Sequence, residues 1–189
     1  MPRIIAGKAK GTRLMAPKGL GSRPTSDRMK EALFSILSER VEGSTILDVF
    51  SGSGQIALEA LSRGAQKAVM IEKDRDAVLA IRQNIEKTRL SEGAVLLPGD
   101  YLRHLKALVQ EGVRFDLIYV DPPWKLSDEV MHSLDSILPK LLLPNAFLII
   151  ETDSKAPLEV MFDTALTRVR GCQYGSGVLS FYQLKTDSK

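Results

Sequence analysis

Apolar and polar positions along this 189-residue chain follow a repeating order, strand-length run then helical spacing, from residue 44 onward. Residues 45–50 (TILDVF), 67–72 (KAVMIE), 94–97 (AVLL), 115–120 (FDLIYV) and 146–151 (AFLIIE) predict five strands. Helices are predicted between them. One spans about 54–63 and stops at Gly64. A second opens at Asp74 with Ala77, Val78, Ile81 and Ile85 inward. A third spans about 100–111 and stops at Gly112, and a fourth covers 127–142. Nearly continuous apolar strands separated by helices predict a parallel sheet covered on both faces. Residues 164–170 and 177–184 predict two further strands. Their Gly-containing link is too short for a helix, so they pair antiparallel at the end of the sheet. The expected fold is α/β and Rossmann-like, with seven mostly parallel strands and an antiparallel last strand.

The first 43 residues break this rhythm. Residues 3–6 (RIIA) and 12–15 (TRLM) are short runs that can pair as a hairpin, and 16–24 (APKGLGSRP) reads as a Pro/Gly loop. Thr25 or Ser26 can cap a helix, with Asp27 in its first turn and Met29, Ala32, Leu33, Ile36 and Leu37 on one face. The chain therefore divides into a basic N-terminal hairpin and loop extension, residues 1–24, and a Rossmann-like domain, residues 25–189.

Composition narrows the class. Hydrophobic residues make up 44% and charged residues 26%, a balance ordinary for a globular domain. No apolar run approaches the ~20 residues that span a bilayer, and the N-terminus lacks the apolar core of a secretory signal. Cys172 is the only cysteine, so an intramolecular disulfide is impossible and a cytoplasmic location is expected, with no membrane partner. His104 and His132 have no partners at ligand spacing, so no metal is expected.

Charge changes the picture more. Residues 1–30 hold eight basic residues (Arg3, Lys8, Lys10, Arg13, Lys18, Arg23, Arg28, Lys30) and one acid, Asp27, a net +7. The other 159 residues hold 18 basic and 22 acidic residues, a net −4. Such a segment suits phosphates, and Gly7, Gly11, Gly19 and Gly21 within it would let backbone lie close to a partner. Arg3, Lys8, Lys10 and Arg13 are the candidate RNA-binding residues.

In a parallel sheet, ligands bind beyond the carboxyl ends of the strands, where strand order reverses. The loop after the first strand reads Asp48-Val-Phe50-Ser-Gly52-Ser-Gly54-Gln-Ile-Ala57. Gly52 and Gly54 permit a tight turn beside a ligand, and Ala57 lets the helix pack on the sheet. Glu72 ends the second strand twenty residues after Gly52, where a carboxylate can accept from both ribose hydroxyls of an adenosine. The glycines alone fit a dinucleotide as well as S-adenosylmethionine. Asp48 tilts the balance: it would repel a pyrophosphate but suits a sulfonium and an ammonium. Asp100, after the third strand, can accept the adenine amino group or simply cap a helix, with Tyr101 packing nearby.

Asp121-Pro122-Pro123-Trp124 follows the fourth strand and is the most specific motif of the chain. The prolines stiffen the backbone and remove two donors, leaving carbonyl acceptors. Asp121 adds an acceptor-only carboxylate, and Trp124 offers a face on which a base can stack. A base amine is a poor nucleophile because its lone pair is delocalised into the ring. Acceptors at Asp121 and the Pro122 carbonyl favour a pyramidal nitrogen with its lone pair free to attack. The motif thus points to methylation of an exocyclic amine. A Rossmann nucleotide-binding protein without methyl transfer and a non-catalytic RNA-binding module are the readings from other classes.

Arg3-Ile-Ile-Ala-Gly-Lys8, Arg23-Pro-Thr-Ser-Asp-Arg28, Lys30-Glu-Ala-Leu-Phe34, Phe50-Ser-Gly-Ser-Gly54, Leu58-Glu-Ala-Leu-Ser-Arg-Gly-Ala65 and Asp121-Pro-Pro-Trp124 resemble the RsmD-type bacterial methyltransferases. The resemblance runs from residue 3 to roughly 150. It implies methylation of a guanine N2 amine in small-subunit (16S) ribosomal RNA, within a partly assembled subunit. It implies S-adenosylmethionine at Phe50, Gly52, Gly54, Glu72 and Asp100, and catalysis at Asp121 through Trp124. It also implies that the segment around Thr25 and Arg28 closes over the cofactor. The family usually has Phe or Tyr where Trp124 stands, and adenine-N6 enzymes share this four-residue loop, so an adenine-N6 or cytosine-N4 nucleic-acid methyltransferase is the alternative within the same class.

Overall fold

The computed structural model describes residues 2–17, 26–122, 128–154 and 165–185. In chain order the elements are α1 (Asp27–Leu37), β1 (Thr45–Asp48), α2 (Gln55–Ser62), β2 (Lys67–Glu72), α3 (Arg75–Thr88), β3 (Ala94–Pro98), α4 (Tyr101–Gln110), β4 (Phe115–Val120), α5 (Asp128–Ile137), β5 (Leu142–Asp153), β6 (Leu166–Tyr174) and β7 (Gly177–Leu184). They form one seven-stranded sheet in the order β3-β2-β1-β4-β5-β7-β6. The first five strands pair in parallel. β7 inserts between β5 and β6 and is antiparallel to both. Strand order reverses between β1 and β4, which places the ligand-binding crevice at their carboxyl ends.

Period-two burial explains why the sheet is covered on both sides. Ala68 and Met70 of β2 pack into one apolar cluster with residues of α1, α2 and α3. Val69 and Ile71 of the same strand pack into the other, with Leu105 of α4 and Leu134 of α5. Short polar side chains start the helices. Ser26 Oγ accepts the Met29 amide at 3.2 Å, Asp74 the Ala77 amide at 2.9 Å, and Asp100 the Arg103 amide at 3.1 Å.

Two elements depart from expectation. The helix predicted over 127–142 ends at Ile137, and a 3-10 turn follows over Leu138–Leu141. Pro139 is the reason: it has no N–H, and its ring disfavours helical backbone at Leu138. β5 then begins at Leu142, ahead of the AFLIIE run, and its register with β4 jumps between the Phe115–Leu142 and Leu117–Phe147 pairs. Asn145, in left-handed backbone at φ 63°, lies in that interruption.

The N-terminal runs do pair, through an antiparallel bridge between Arg3 and Arg13 and the Ile4 amide on the Thr12 carbonyl at 2.9 Å. Ile4 and Leu14 are buried in the same cluster as α1 and α2. The glycine in this hairpin that requires close approach is Gly7. A Cβ there would lie 1.7 Å from the Ser62 carbonyl oxygen, so the partner it approaches is the end of α2. Polar groups lock the hairpin down. The Glu59 carboxylate, fully buried on α2, accepts the Ile5 and Ala6 amides at 2.7 and 3.0 Å and Arg63 Nε at 2.7 Å. Lys30 is fully buried on α1: its Nζ donates to the Arg3 carbonyl and lies 3.7 Å from Glu59 and 3.8 Å from Asp27. Burial pushes the Lys30 amine down, against the pull of those carboxylates. Among the described residues, no helix is long and apolar enough to cross a membrane.

Candidate active site

Each of the five parallel strands delivers a carboxylate to the same end of the sheet. Asp48 ends β1, Glu72 ends β2, Asp100 follows β3, Asp121 follows β4 and Glu151 lies near the end of β5. The loop after β1 is built to leave room beside them. Gly52 and Gly54 hold left-handed backbone, at φ 54° and 74°. A Cβ at Gly52 would meet nothing within 4 Å among the described residues, so the loop is uncrowded at that point. One at Gly54, the residue that starts α2, would press on Met70 and Ile81 at 3.2 and 3.4 Å, so glycine there also serves packing. Ala57 is fully buried. The loop is braced by the Gly54 amide on the Ser51 carbonyl at 2.7 Å and by Asn84 Nδ2 on the Ser53 carbonyl at 2.9 Å.

Two of the carboxylates sit in contrasting surroundings. Glu72 accepts the Gly52 amide on one oxygen at 2.8 Å, and the Lys73 and Asp74 amides on the other at 2.8 and 2.9 Å. Asp48 is 1% exposed, and neither of its carboxylate oxygens has a hydrogen-bond partner of good geometry among the described residues. Burial, and then the Glu72 charge, push its carboxyl up to about 7, while the Ala57 amide and Ser51 hydroxyl weakly oppose them. A buried carboxylate in this state is costly unless a cation or donor arrives. The Phe50 and Tyr101 rings stack at a tilt beside the crevice, with centroids 5.0 Å apart. Burial and the neighbouring Asp100 push the Tyr101 phenol up, which keeps it neutral.

Asp121 is half-buried at the end of β4. Burial, then the charges of Glu151 and Asp48, raise its carboxyl well above the usual carboxylate range. Tyr119, two residues earlier, is buried and donates its hydroxyl to the Glu151 carboxylate.

The structure thus brings Asp48, Phe50, Gly52, Gly54, Glu72, Asp100, Tyr101, Asp121 and Pro122 to one end of the sheet. Pro123, Trp124 and Thr25 lie outside the described residues. Arg28 is exposed in the first turn of α1. Arg3, Lys8, Lys10 and Arg13 are exposed on the N-terminal hairpin, with Arg3 Nε paired to Asp27 at 2.8 Å. Lys30 drops out of the basic surface because it is buried. Its place was visible in the helical spacing: Lys30, Leu33, Phe34 and Leu37 share a face. Glu151 and Tyr119 are functional candidates that the sequence pattern did not single out. Glu151 ends the AFLIIE run as Glu72 ends KAVMIE, and that parallel was the available signal.

A seven-stranded sheet of this order, with the Gly loop and terminal carboxylates of β1 and β2, defines the class I S-adenosylmethionine-dependent methyltransferase fold. Solved structures agree. A hypothetical protein of Thermus thermophilus superposes with a TM-score of 0.83 at 27% identity, covering 97% of this chain and all of that one. The Thermus thermophilus 16S rRNA N2 G1207 methyltransferase RsmC, solved with AdoMet and guanosine, shares the fold at a TM-score of 0.71 and 22% identity, over 89% of this chain and 45% of its own. Residues 2–183 match the family described as Conserved hypothetical protein 95. Ribosomal RNA small subunit methyltransferase D of Haemophilus influenzae is 36% identical over 159 residues, 82% of this chain and 81% of that protein. The chain belongs to this family, that of ribosomal RNA small subunit methyltransferase D. It is accordingly an S-adenosylmethionine-dependent ribosomal RNA methyltransferase.

Proposed function

We propose that the chain methylates the exocyclic N2 amine of a guanine in 16S ribosomal RNA, with a partly assembled small subunit as its substrate. The observation that carries amine methylation from this cofactor is the buried Asp48 carboxylate, without a hydrogen-bond partner of good geometry among the described residues, beside Asp121 at the strand switch point. The cofactor fits the residues present. Asp48 offers a buried negative charge to a cationic ligand, and the loop is uncrowded at Gly52. Phe50 and Tyr101 form an aromatic wall. Glu72, already oriented by three amides, keeps acceptor capacity for ribose hydroxyls. Asp100 and the segment at Thr25 and Arg28 complete the expected contacts. When bound, S-adenosylmethionine supplies a methyl group on a sulfonium, a strong electrophile with a neutral leaving group.

The protein's own part is positioning. Asp121 and the Pro122 carbonyl accept the two N–H groups of the target amine and turn its lone pair outward. Trp124, after Pro123, stacks on the base. The exposed Lys8, Lys10 and Arg13 on the hairpin, with Arg3, meet RNA phosphates. The guanine-N2 assignment rests on the family resemblance of the N-terminal motifs, Arg3–Lys8 and Arg23–Arg28, because the Asp121–Trp124 loop also serves adenine-N6 enzymes. Mass spectrometry of 16S ribosomal RNA nucleosides from cells with and without the gene tests it. Loss of one N2-methylguanine is expected; loss of an N6-methyladenine would overturn the assignment.

A further inference from the structure

Methylation of an amine leaves a proton to be placed. As the amine lone pair forms the new C–N bond, the C–S electron pair stays with sulfur, and the nitrogen is left with a positive charge. One of its N–H protons must leave. Asp121 touches that amine in the proposed pose, and Glu151 lies on the adjoining strand. Val120 and Ile150 are register partners in the parallel β4–β5 pair, so Asp121 and Glu151 emerge side by side on the next step. Tyr119 pairs with Ile149 one step earlier, and both pack in the same apolar cluster. By the pleat, Asp121 and Glu151 follow on that face. The buried Tyr119 hydroxyl ties Glu151 in place.

We propose that Glu151, held by Tyr119, is a positioning residue for Asp121, and that the two carboxyls act as one proton-sharing pair that receives the proton lost by the target amine. The proton moves from nitrogen to Asp121, is shared with Glu151 and then leaves to solvent, so charge and atoms balance with no further reactant. Adjacent carboxyls do not both ionise readily, and a pair holding one negative charge is a better base than an isolated aspartate. Among the described residues, both charges that act on Asp121 are acidic: Glu151 from β5 and Asp48 from β1. Glu72 on β2 acts in turn on Asp48.

The inference rests on the amine-methylation reading, and the test separates the two. Glu151→Gln, Tyr119→Phe, Asp121→Asn and Asp121→Ala are compared with the wild type in the full chain. The first measurement is carboxyl titration of Asp121 by carbon-13 NMR without cofactor or RNA, assigned by its loss in Asp121→Asn. The second is single-turnover methyl transfer to small-subunit particles as a function of pH, with cofactor affinity in parallel. Glu151→Gln should move the Asp121 titration to lower pH and carry the acid limb of the rate with it. The plateau rate should fall about threefold to tenfold, as a weaker base requires, while cofactor affinity stays the same. Tyr119→Phe should move both in the same direction by less, because Glu151 without its donor takes the proton in Asp121's place. Unmoved titration of Asp121 in both variants overturns the pair. Full activity of Asp121→Asn, which keeps an acceptor but no base, would overturn proton transfer to Asp121; full activity of Asp121→Ala, which removes the acceptor as well, would overturn the amine reading instead, and the titration arm would still decide the pairing.

Discussion

The Gly52 amide donates to Oε2 of Glu72 at 2.8 Å, so the glycine loop after β1 is tied to the carboxylate that ends β2. One side chain therefore shapes the loop and offers acceptors to whatever lies over it. Glu72→Ala should weaken S-adenosylmethionine binding by about 1.5–3 kcal/mol through loss of a charged acceptor. It should also lower the melting temperature, because three backbone amides lose their partner. Calorimetric titration and thermal melts read the two effects. Unchanged cofactor affinity would leave Glu72 as a loop brace only.

Asp48 predicts an inverted pH dependence. Its carboxyl titrates at about 7 in the folded chain against 3.8 for the ordinary group, so the folded state holds the proton more tightly. Stability from this group is therefore fully present below about pH 3.8, falls as pH rises and is lost above about 7. A cationic ligand favours the ionised form, so cofactor affinity should instead weaken as pH drops below 7, with proton release on binding. Asp48→Asn should abolish both trends and lose about 1.5–3 kcal/mol of cofactor binding at pH 8. Calorimetry in buffers of different ionisation enthalpy detects the released proton.

Asn84 is buried on α3 and joins two distant segments. It exchanges hydrogen bonds with the Met15 backbone at 2.7 and 3.0 Å and donates to the Ser53 carbonyl of the glycine loop at 2.9 Å. Asn84→Ala should destabilise the fold by about 1–3 kcal/mol, since buried backbone groups lose their partners. Asn84→Asp should be no better, because a carboxylate cannot donate to Ser53. Urea unfolding curves with unchanged slope would register the loss, and a wild-type midpoint would contradict it.

The hairpin charges predict a salt effect. Replacing Lys8, Lys10 and Arg13 by Ala should weaken RNA binding. The slope of log affinity against log salt should flatten by about 0.7–0.9 for each phosphate no longer neutralised. Adding Arg3→Ala should flatten it further while also breaking the Asp27 pair. Cofactor affinity should stay constant throughout. Filter binding across a salt series measures the slope, and an unchanged slope in the quadruple variant refutes the footprint.

By itself, the sequence determined the sheet and where to look on it. Nearly continuous apolar runs such as KAVMIE and FDLIYV, separated by capped helical stretches, leave a parallel sheet covered on both faces as the way to bury them. The strand-end placement of Asp48, Gly52, Gly54, Glu72 and Asp121 was legible because local pattern locates where the strands stop. Only the tertiary structure decided which polar groups meet across the chain. Lys30 shares a helical face with Leu33, Phe34 and Leu37, but that Glu59, on a different helix, is buried beside it is decided only by how the two helices pack. Gly7 reads as room for an outside partner until Ser62 fills that room. The Tyr119–Glu151 contact depends on the register of β4 with β5, which the Asn145 interruption shifts, and no local period encodes that shift. Burial of a charge is a property of its neighbours in space, so its consequences for the site emerge only once the strands are paired and the hairpin is docked.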